Sequence, residues 1–421
     1  MKHQIPYGKD LLEIELPDKN VTVCSASDIR AEKPGRTIIR EALDAPIGSP
    51  SLKELAKDKK SACIVVNDVT RPTPSRIILE GILEDLAEVG IADQEIKILI
   101  ANGNHRPTKL DEQINMFGEE IVRRYKVINH VARNDEDLVY LGDTPLGVPI
   151  HVNRALVESE LKVLTGTIRP HQSAGFSGGR KSVLPGVAGL NSIRKHHSFP
   201  IFPITPQLGV IKGNTFHEQS LLGAKFVGID FIVNVIENSH KEILSAVAGD
   251  LEAAHAEGIK RCLDIWTYLL PERVDIIITS PGGYPKDINL HQSQKAVAPC
   301  ELALKKGGVI ILVAQCPDGA GQVPDWFEGA TTPQDVIDKF IRDGWSPAAH
   351  AKPFLLARPL SNHHVIAVCD GIDDELLKKM FIVPAKDIED AYQKACDYCQ
   401  LEEPKILVLP VAGDVIPLVQ E

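Results

Sequence analysis

Short Val- and Ile-rich runs alternate along this chain with longer stretches of helical periodicity, and that order constrains the fold more than any other feature. A strand covered on both faces reads as a continuous apolar run, whereas a half-solvated strand alternates. Runs at 61–66, 96–101, 161–167, 231–236, 274–279, 308–314, 365–369 and 405–409 are of the first kind. Helical periodicity occupies 74–89, 110–117, 192–197, 250–269, 292–304, 333–342 and 385–400. The expected class is α/β, with mainly parallel sheets joined by crossover helices. A chain of 421 residues exceeds what one core ordinarily serves. A break at LLPERVD, around Pro271, divides it into an expected amino-terminal domain, 1–270, and a carboxy-terminal domain, 271–421, two lobes around a central cleft.

A formal charge of −11 leaves no surplus of Lys and Arg to release counterions from a phosphate backbone, so nucleic acid is not an expected partner. The opening residues, MKHQIPYGKDLLEIELP, carry charges throughout rather than the apolar core of a signal peptide. No later run approaches the length of a membrane span, so the expected location is the cytoplasm. Most of the eight cysteines sit singly in apolar runs, as reduced buried thiols do. Cys396 and Cys399 form a CxxC on an expected helix, with no second CxxC to complete a zinc site.

The polar residues fall where such a fold places ligands, beyond the carboxyl ends of strands. After Val66 comes NDVTRPTP, with Asp68 and Arg71; after Ala101 comes NGNHRPT, with His105; after Thr167 comes IRPHQSAGFSGGRK, with His171 and Lys181. The loop after Ile278, SPGGYPKDINLHQSQKA, adds Tyr284, His291, Gln292 and Lys295 from the second lobe. Each residue alone has a bland reading as a solvated charge or a structural histidine; the repeated placement is what points to a site. Gly175, Gly178 and Gly179, with Ser177 among them, form a loop whose backbone N–H groups can close on an anion, and phosphate is the natural guest. The spacing is neither that of a P-loop nor that of the dinucleotide fingerprint, and the plain alternative is a surface turn with a solvated Arg180–Lys181 pair. Farther on, the neighbouring His196 and His197 cannot share a helical face, so at most one imidazole serves a given centre. A soft transition metal accepts one imidazole, and the rest of its coordination would come from something other than protein.

Taken in order, DVTRP, GNHRP, IRPHQ with GFSGGRKSVLPG, KHHSF and HQSQK resemble the nickel-dependent lactate racemase family, over about 68–345. The resemblance implies two α/β lobes around a cleft and a nickel pincer nucleotide, a nicotinate-derived mononucleotide held as a thioamide on Lys181, with His197 as the protein ligand to nickel. It implies racemisation by hydride: a base takes the hydroxyl proton of a 2-hydroxy acid, the α-hydrogen leaves for the pincer ring, and the planar 2-keto acid takes it back on the other face. His105 and His171 match the acid/base pair, for which imidazole is suited. Arg71 and Lys295 match the carboxylate-binding residues, Gln292, His291 and Tyr284 stand with them, and Trp345 in DGWSP matches a tryptophan of the cleft. Asp68 and the 175–179 backbone are assigned to ribose and phosphate. Cofactor-synthesis proteins are implied as partners, since the nucleotide must be built elsewhere.

One position departs from the family pattern: His291 stands before Gln292 where lactate racemases carry tyrosine. A more polar wall suits a larger or more polar 2-hydroxy acid, a sugar acid or malate, and that substrate is the expectation. The alternatives are lactate racemase itself, a Schiff-base aldolase or dehydratase with Lys181 as the amine and His171 as its base, and a noncatalytic protein that binds a phosphorylated ligand.

Overall fold

The computed structural model describes residues 1–24, 29–71, 73–197, 208–343 and 352–420. It divides into two compact units, one formed chiefly by Asp28–His197 and Val210–Ile265, the other by Met1–Ser27 and Trp266–Glu421. Each is α/β, as the order of apolar runs implies.

In the first unit six strands, β1 (Ala62–Asn67), β2 (Ile96–Ala101), β3 (Lys126–Asn129), β4 (Leu161–Thr167), β5 (Phe231–Glu237) and β6 (Ile243–Gly249), lie in the order β6-β5-β4-β1-β2-β3. All neighbours are parallel except β5 and β6, an antiparallel pair at the edge. The continuous apolar runs are explained by cover on both faces: every residue of β5, and all of β1 except Asn67, is buried. On one face Ile64, Val66, Ile98, Ile100, Val163 and Val233 meet Ile78, Leu79, Ile82 and Leu86 of the Ser75–Glu88 helix. Those helical positions recur every three or four residues, which puts them on one stripe. Truncating one of these fully buried side chains to alanine costs about 2–5 kcal/mol. From β1 the chain winds outward through β2 and β3 and then returns to the other side with β4. The strand order therefore reverses between β1 and β4, and the crevice beyond their carboxyl ends is where open α/β sheets bind ligands.

The second unit carries β7 (Val274–Thr279), β8 (Leu304–Val313), β9 (His364–Val368), β10 (Val383–Ala385) and β11 (Ile406–Leu409), all parallel, in the order β10-β9-β8-β7-β11. The short Val21–Val23 strand completes its edge against β11, Val408 opposite Val23. An antiparallel hairpin, Lys2–Tyr7 with Asp10–Glu15, packs on the same unit, where Asp287 accepts from Gly8 N at 2.6 Å and Ser280 Oγ donates to Pro6 O at 2.7 Å. The expected division at 270/271 lies close to the transition at Trp266, but it assigns the first residues to the amino-terminal domain. Strand pairing and the hairpin contacts group them with the carboxy-terminal residues instead. Among the described residues no helix is long and apolar enough to cross a membrane.

Candidate active site

The loops after β1, β2 and β4 enclose a pocket of about 400 Å³ within the first unit. Its lining includes Asp68, Arg71, His105, His171, Ser177, Gly178, Lys181 and His197, so eight of the candidates share one cavity. Three successive strand ends deliver them because parallel strands all point their carboxyl ends the same way.

The β1 and β2 loops make a carboxylate–imidazole pair. Asp68 is buried, and its Oδ2 lies 2.7 Å from His105 Nδ1 while its Oδ1 accepts from Thr70 Oγ1 at 2.7 Å. Burial alone would raise the Asp68 pKa; the hydrogen bonds from His105 and Thr70 and the charges of His105 and Arg71 outweigh it and hold the carboxyl below its usual range. A carboxylate only accepts, so His105 donates from Nδ1 and keeps its lone pair on Nε2. Each Asp68 oxygen thus already accepts one hydrogen bond inside the protein. Arg71, exposed, donates from one guanidinium nitrogen to Thr70 O at 3.3 Å and to Thr70 Oγ1 at 3.2 Å.

The β4 loop is built differently. His171 Nδ1 accepts from the backbone N–H groups of Ser173, at 3.2 Å, and Ala174, at 3.1 Å, which places the proton of the neutral ring on Nε2. Burial, with the nearby charges of Lys181 and Arg71, pushes the His171 pKa well below its ordinary value and keeps the ring neutral. The chain then turns back, with His171 opposite Gly175 in a two-residue antiparallel pair.

The glycines are closely packed. Gly175 has φ +72°, and a Cβ there would lie 2.1 Å from Val210 O. Gly179 spends its N–H on Asn234 Oδ1 at 2.8 Å, and neither Gly175 nor Gly179 lines the pocket. The Ser177 hydroxyl donates to Thr167 O at 2.7 Å and accepts from Arg169 N at 2.9 Å, tying the loop to β4. Of the expected phosphate cradle, only Ser177 and Gly178 reach the cavity.

Lys181 follows on a single turn, Gly179–Ser182, anchored by Ser182 Oγ on Thr165 O at 3.0 Å. Burial first, then the charges of Arg180 and Arg71, push its pKa well below the usual lysine value. Among the described residues no carboxylate pairs with it. The shift favours the unprotonated, nucleophilic form of the amine on the pocket wall. Arg180 overturns the plain alternative: it is 1% exposed rather than solvated.

The Leu190–His197 helix separates its two terminal histidines, as adjacent helical positions require. His196 is buried, its Nε2 3.0 Å from Phe216 O and its ring centroid 4.0 Å from that of Phe216. His197 reaches the pocket and donates from Nδ1 to Ile193 O at 2.8 Å, which puts the lone pair of the neutral ring on Nε2. Among the described residues no three His, Cys, Asp or Glu side chains group to hold a metal. The pocket thus brings three imidazoles and one amine together, and with no protein cluster among the described residues to hold a metal, any metal there would be carried mostly by another group.

The remaining candidates belong to the second unit. Asn289 caps the turn after β7 by accepting from Gln292 N at 3.0 Å, and Lys295 Nζ donates to Gln292 Oε1. The His291 ring stands edge-on to Trp326, centroids 5.7 Å apart, and Tyr284 is half-exposed with Lys9 over its ring. Trp345 lies outside the described residues. Thr70, Arg180, Asn234 and His255 went unnoticed in the sequence as site-building residues; only the position of Arg180 directly before Lys181 offered a signal.

Comparison with known proteins agrees along the whole chain. Residues 7–205 match the family model described as lactate racemase N-terminal domain, and residues 270–416 match that described as lactate racemase C-terminal domain. The chain is 38% identical to lactate racemase of Thermoanaerobacterium thermosaccharolyticum, over 98% of each chain, and 35% identical to lactate racemase of Lactiplantibacillus plantarum, over 93% of this chain and 94% of that one. It superposes on the solved structure of the T. thermosaccharolyticum lactate racemase apoprotein with a TM-score of 0.88, covering all of both chains. A Thermotoga maritima protein at 18% identity shares the fold, with a TM-score of 0.65 over 91% of this chain and 98% of that one. With both family domains in sequence and relatives matched from end to end, the chain belongs to the lactate racemase family.

Proposed function

We propose that the chain is a racemase of 2-hydroxy acids and that lactate is its substrate. The observation that carries this reading is the convergence of two imidazoles with opposite proton placement, a lysine whose pKa is lowered and a third histidine in one pocket. The names of both curated relatives support lactate. The expectation of a larger or more polar acid rested on His291 alone, and nothing in the comparisons supports it; the Trp326 ring beside this imidazole gives it a packing role.

Lys181 would tether the pincer nucleotide and His197 would bind its nickel through Nε2, with Ser177 and Gly178 beside the nucleotide. When bound there, the group supplies a hydride acceptor for C2 of the substrate. His105 Nε2 accepts the proton of the substrate hydroxyl, and Asp68 stabilises the imidazolium that forms. His171 presents its Nε2 proton, so that a proton-transfer group serves each enantiomer. Arg71 supplies a guanidinium for the substrate carboxylate. Lys295, Gln292, His291, Tyr284 and Trp345 are assigned to the substrate by resemblance. We place the protein in the cytoplasm, beside the proteins that build its cofactor.

The test is to express the chain in a host that makes the nucleotide, supply nickel, and follow conversion of L-lactate to D-lactate by chiral chromatography. Malate and aldonates are run in parallel. Inversion of lactate is expected; inversion of the larger acids without lactate would restore the polar-substrate reading, and inversion of none would overturn the proposal.

A further inference from the structure

Arg180 is the largest fully buried side chain of the described residues, and among them no carboxylate pairs with it. Its guanidinium instead donates to Ala174 O at 2.8 Å, Gly178 O at 3.3 Å and Ser177 O at 3.5 Å, and its Nη1 lies 2.9 Å from His255 Nε2. His255 Nε2 itself lies 2.9 Å from Ser177 O, and a Cβ on Gly179 would lie 2.9 Å from the His255 ring. A buried cation without an anion is costly, and a fold retains one where its fork holds something in place. Here the fork spans the turn between His171 and Lys181.

We propose that Arg180 is a positioning residue: it clamps the 174–178 turn from behind, so that the Lys181 amine stands in the pocket beside a fixed cation and without an anionic partner. The inference rests on the reading of Lys181 as the cofactor tether. An amine must be unprotonated to form a bond to a carbonyl or thiocarbonyl carbon. The other charged and titratable groups around Lys181 are Arg71, Arg169, His105, His171 and His197 in the pocket lining, with His196 and His255 behind it. Asp68, the one carboxylate of that lining, is committed to His105. Burial and the Arg180 charge are the first two causes of the depressed Lys181 pKa, so the clamp and the electrostatics point the same way.

The test uses the full chain made without cofactor and trace acetic anhydride between pH 6 and 10, with peptide mass mapping. The Lys181 amine attacks one anhydride carbonyl, the nitrogen–carbon bond forms, acetate leaves and the amine proton passes to buffer. The exposed Lys57 is the internal reference. The Lys181 midpoint is expected below that of Lys57, to rise by about one pH unit in Arg180→Gln, and to rise part of that way in Arg180→Lys, which keeps the charge and loses the fork. An unchanged midpoint in Arg180→Gln with native circular dichroism would overturn the proposal. If that variant does not fold, Arg180→Lys decides: a midpoint above that of the wild-type protein supports the proposal, and one equal to it refutes it. Absence of a nucleotide adduct on Lys181 in a cofactor-making host would defeat the tether reading and leave these midpoints unaffected.

Discussion

The two imidazoles of the pocket are held in opposite ways. His105, half-exposed, leans on a buried carboxylate that fixes its Nδ1 proton and leaves a lone pair outward. His171 leans on two backbone N–H groups that fix its Nδ1 lone pair and leave a proton outward. One is ready to take a proton and the other to give one. For His171 to accept at Nε2 its proton must move to Nδ1, which gives up the contacts to Ser173 and Ala174 or turns the ring. In the proposed mechanism each face of a planar intermediate would meet a different partner, and proton placement is set by backbone geometry as much as by charge.

The largest expected effect removes either member. His105→Ala and His171→Ala should each lower kcat for lactate by roughly 10²–10⁴-fold with the Lys181 adduct retained in the mass spectrum; a variant that keeps near-native turnover would remove that histidine from the pair. Next, Asp68→Asn should touch only the His105 side. An amide can offer either oxygen or NH₂ to Nδ1, so the proton placement is no longer enforced, and turnover should fall by roughly 10²-fold without change in KM. A matching loss of cofactor adduct would mean that Asp68 contacts the nucleotide after all.

Gly175→Ala should damage the His171 side alone, because the added methyl meets Val210 O and a left-handed backbone costs about 1–2 kcal/mol before that clash is counted. A lowered Tm together with altered His171 resonances is the expected result; an unchanged Tm would show that the turn relaxes freely. A further contrast is set by pH. In the first unit burial depresses His130 and His217 to about 4, and His171 and His255 also lie well below their ordinary value, whereas His363, at about 4, is the counterpart in the second unit. Between pH 6.5 and 4 the unfolded chain binds protons that the folded unit refuses, so stability is full above pH 6.5 and falls as pH drops through that window. Hydrogen exchange, corrected for intrinsic rates, should show the first unit opening before the second as pH falls; the reverse order would contradict these burial assignments. The smallest effect belongs to Thr70→Val, which removes one hydrogen bond to Asp68 and should cost turnover about three- to tenfold.

Much of this was legible in the sequence, for a physical reason. Strands buried on both faces write themselves as unbroken apolar runs, so 96–101, 161–167 and 274–279 coincide with β2, β4 and β7 to the residue. The loops that follow β1, β2 and β4 were legible because parallel strands present their ends together. What escaped were features defined by distant partners. Val21–Val23 becomes a strand through Ile406–Leu409, and Thr267–Leu270, which takes in the last three residues of the 250–269 stretch expected as helix, becomes one through Ile416–Val419. Arg180 escaped for the same reason, since a charge beside a charge reads as solvated until the carbonyls around it are seen. The Asp68–His105 pair was not legible either, because spacing does not reveal which atom faces which.

The central claim is that the Lys181 amine is the point at which this pocket holds its reactive group. Peptide mapping of wild-type and Lys181→Ala protein, both from a host that makes the nucleotide and both assayed with L-lactate, tests it most directly. The account predicts a nucleotide-sized mass increment confined to the Lys181 peptide and racemisation that vanishes with the variant; an unmodified Lys181 in racemising protein, or a variant that still inverts lactate, would contradict it.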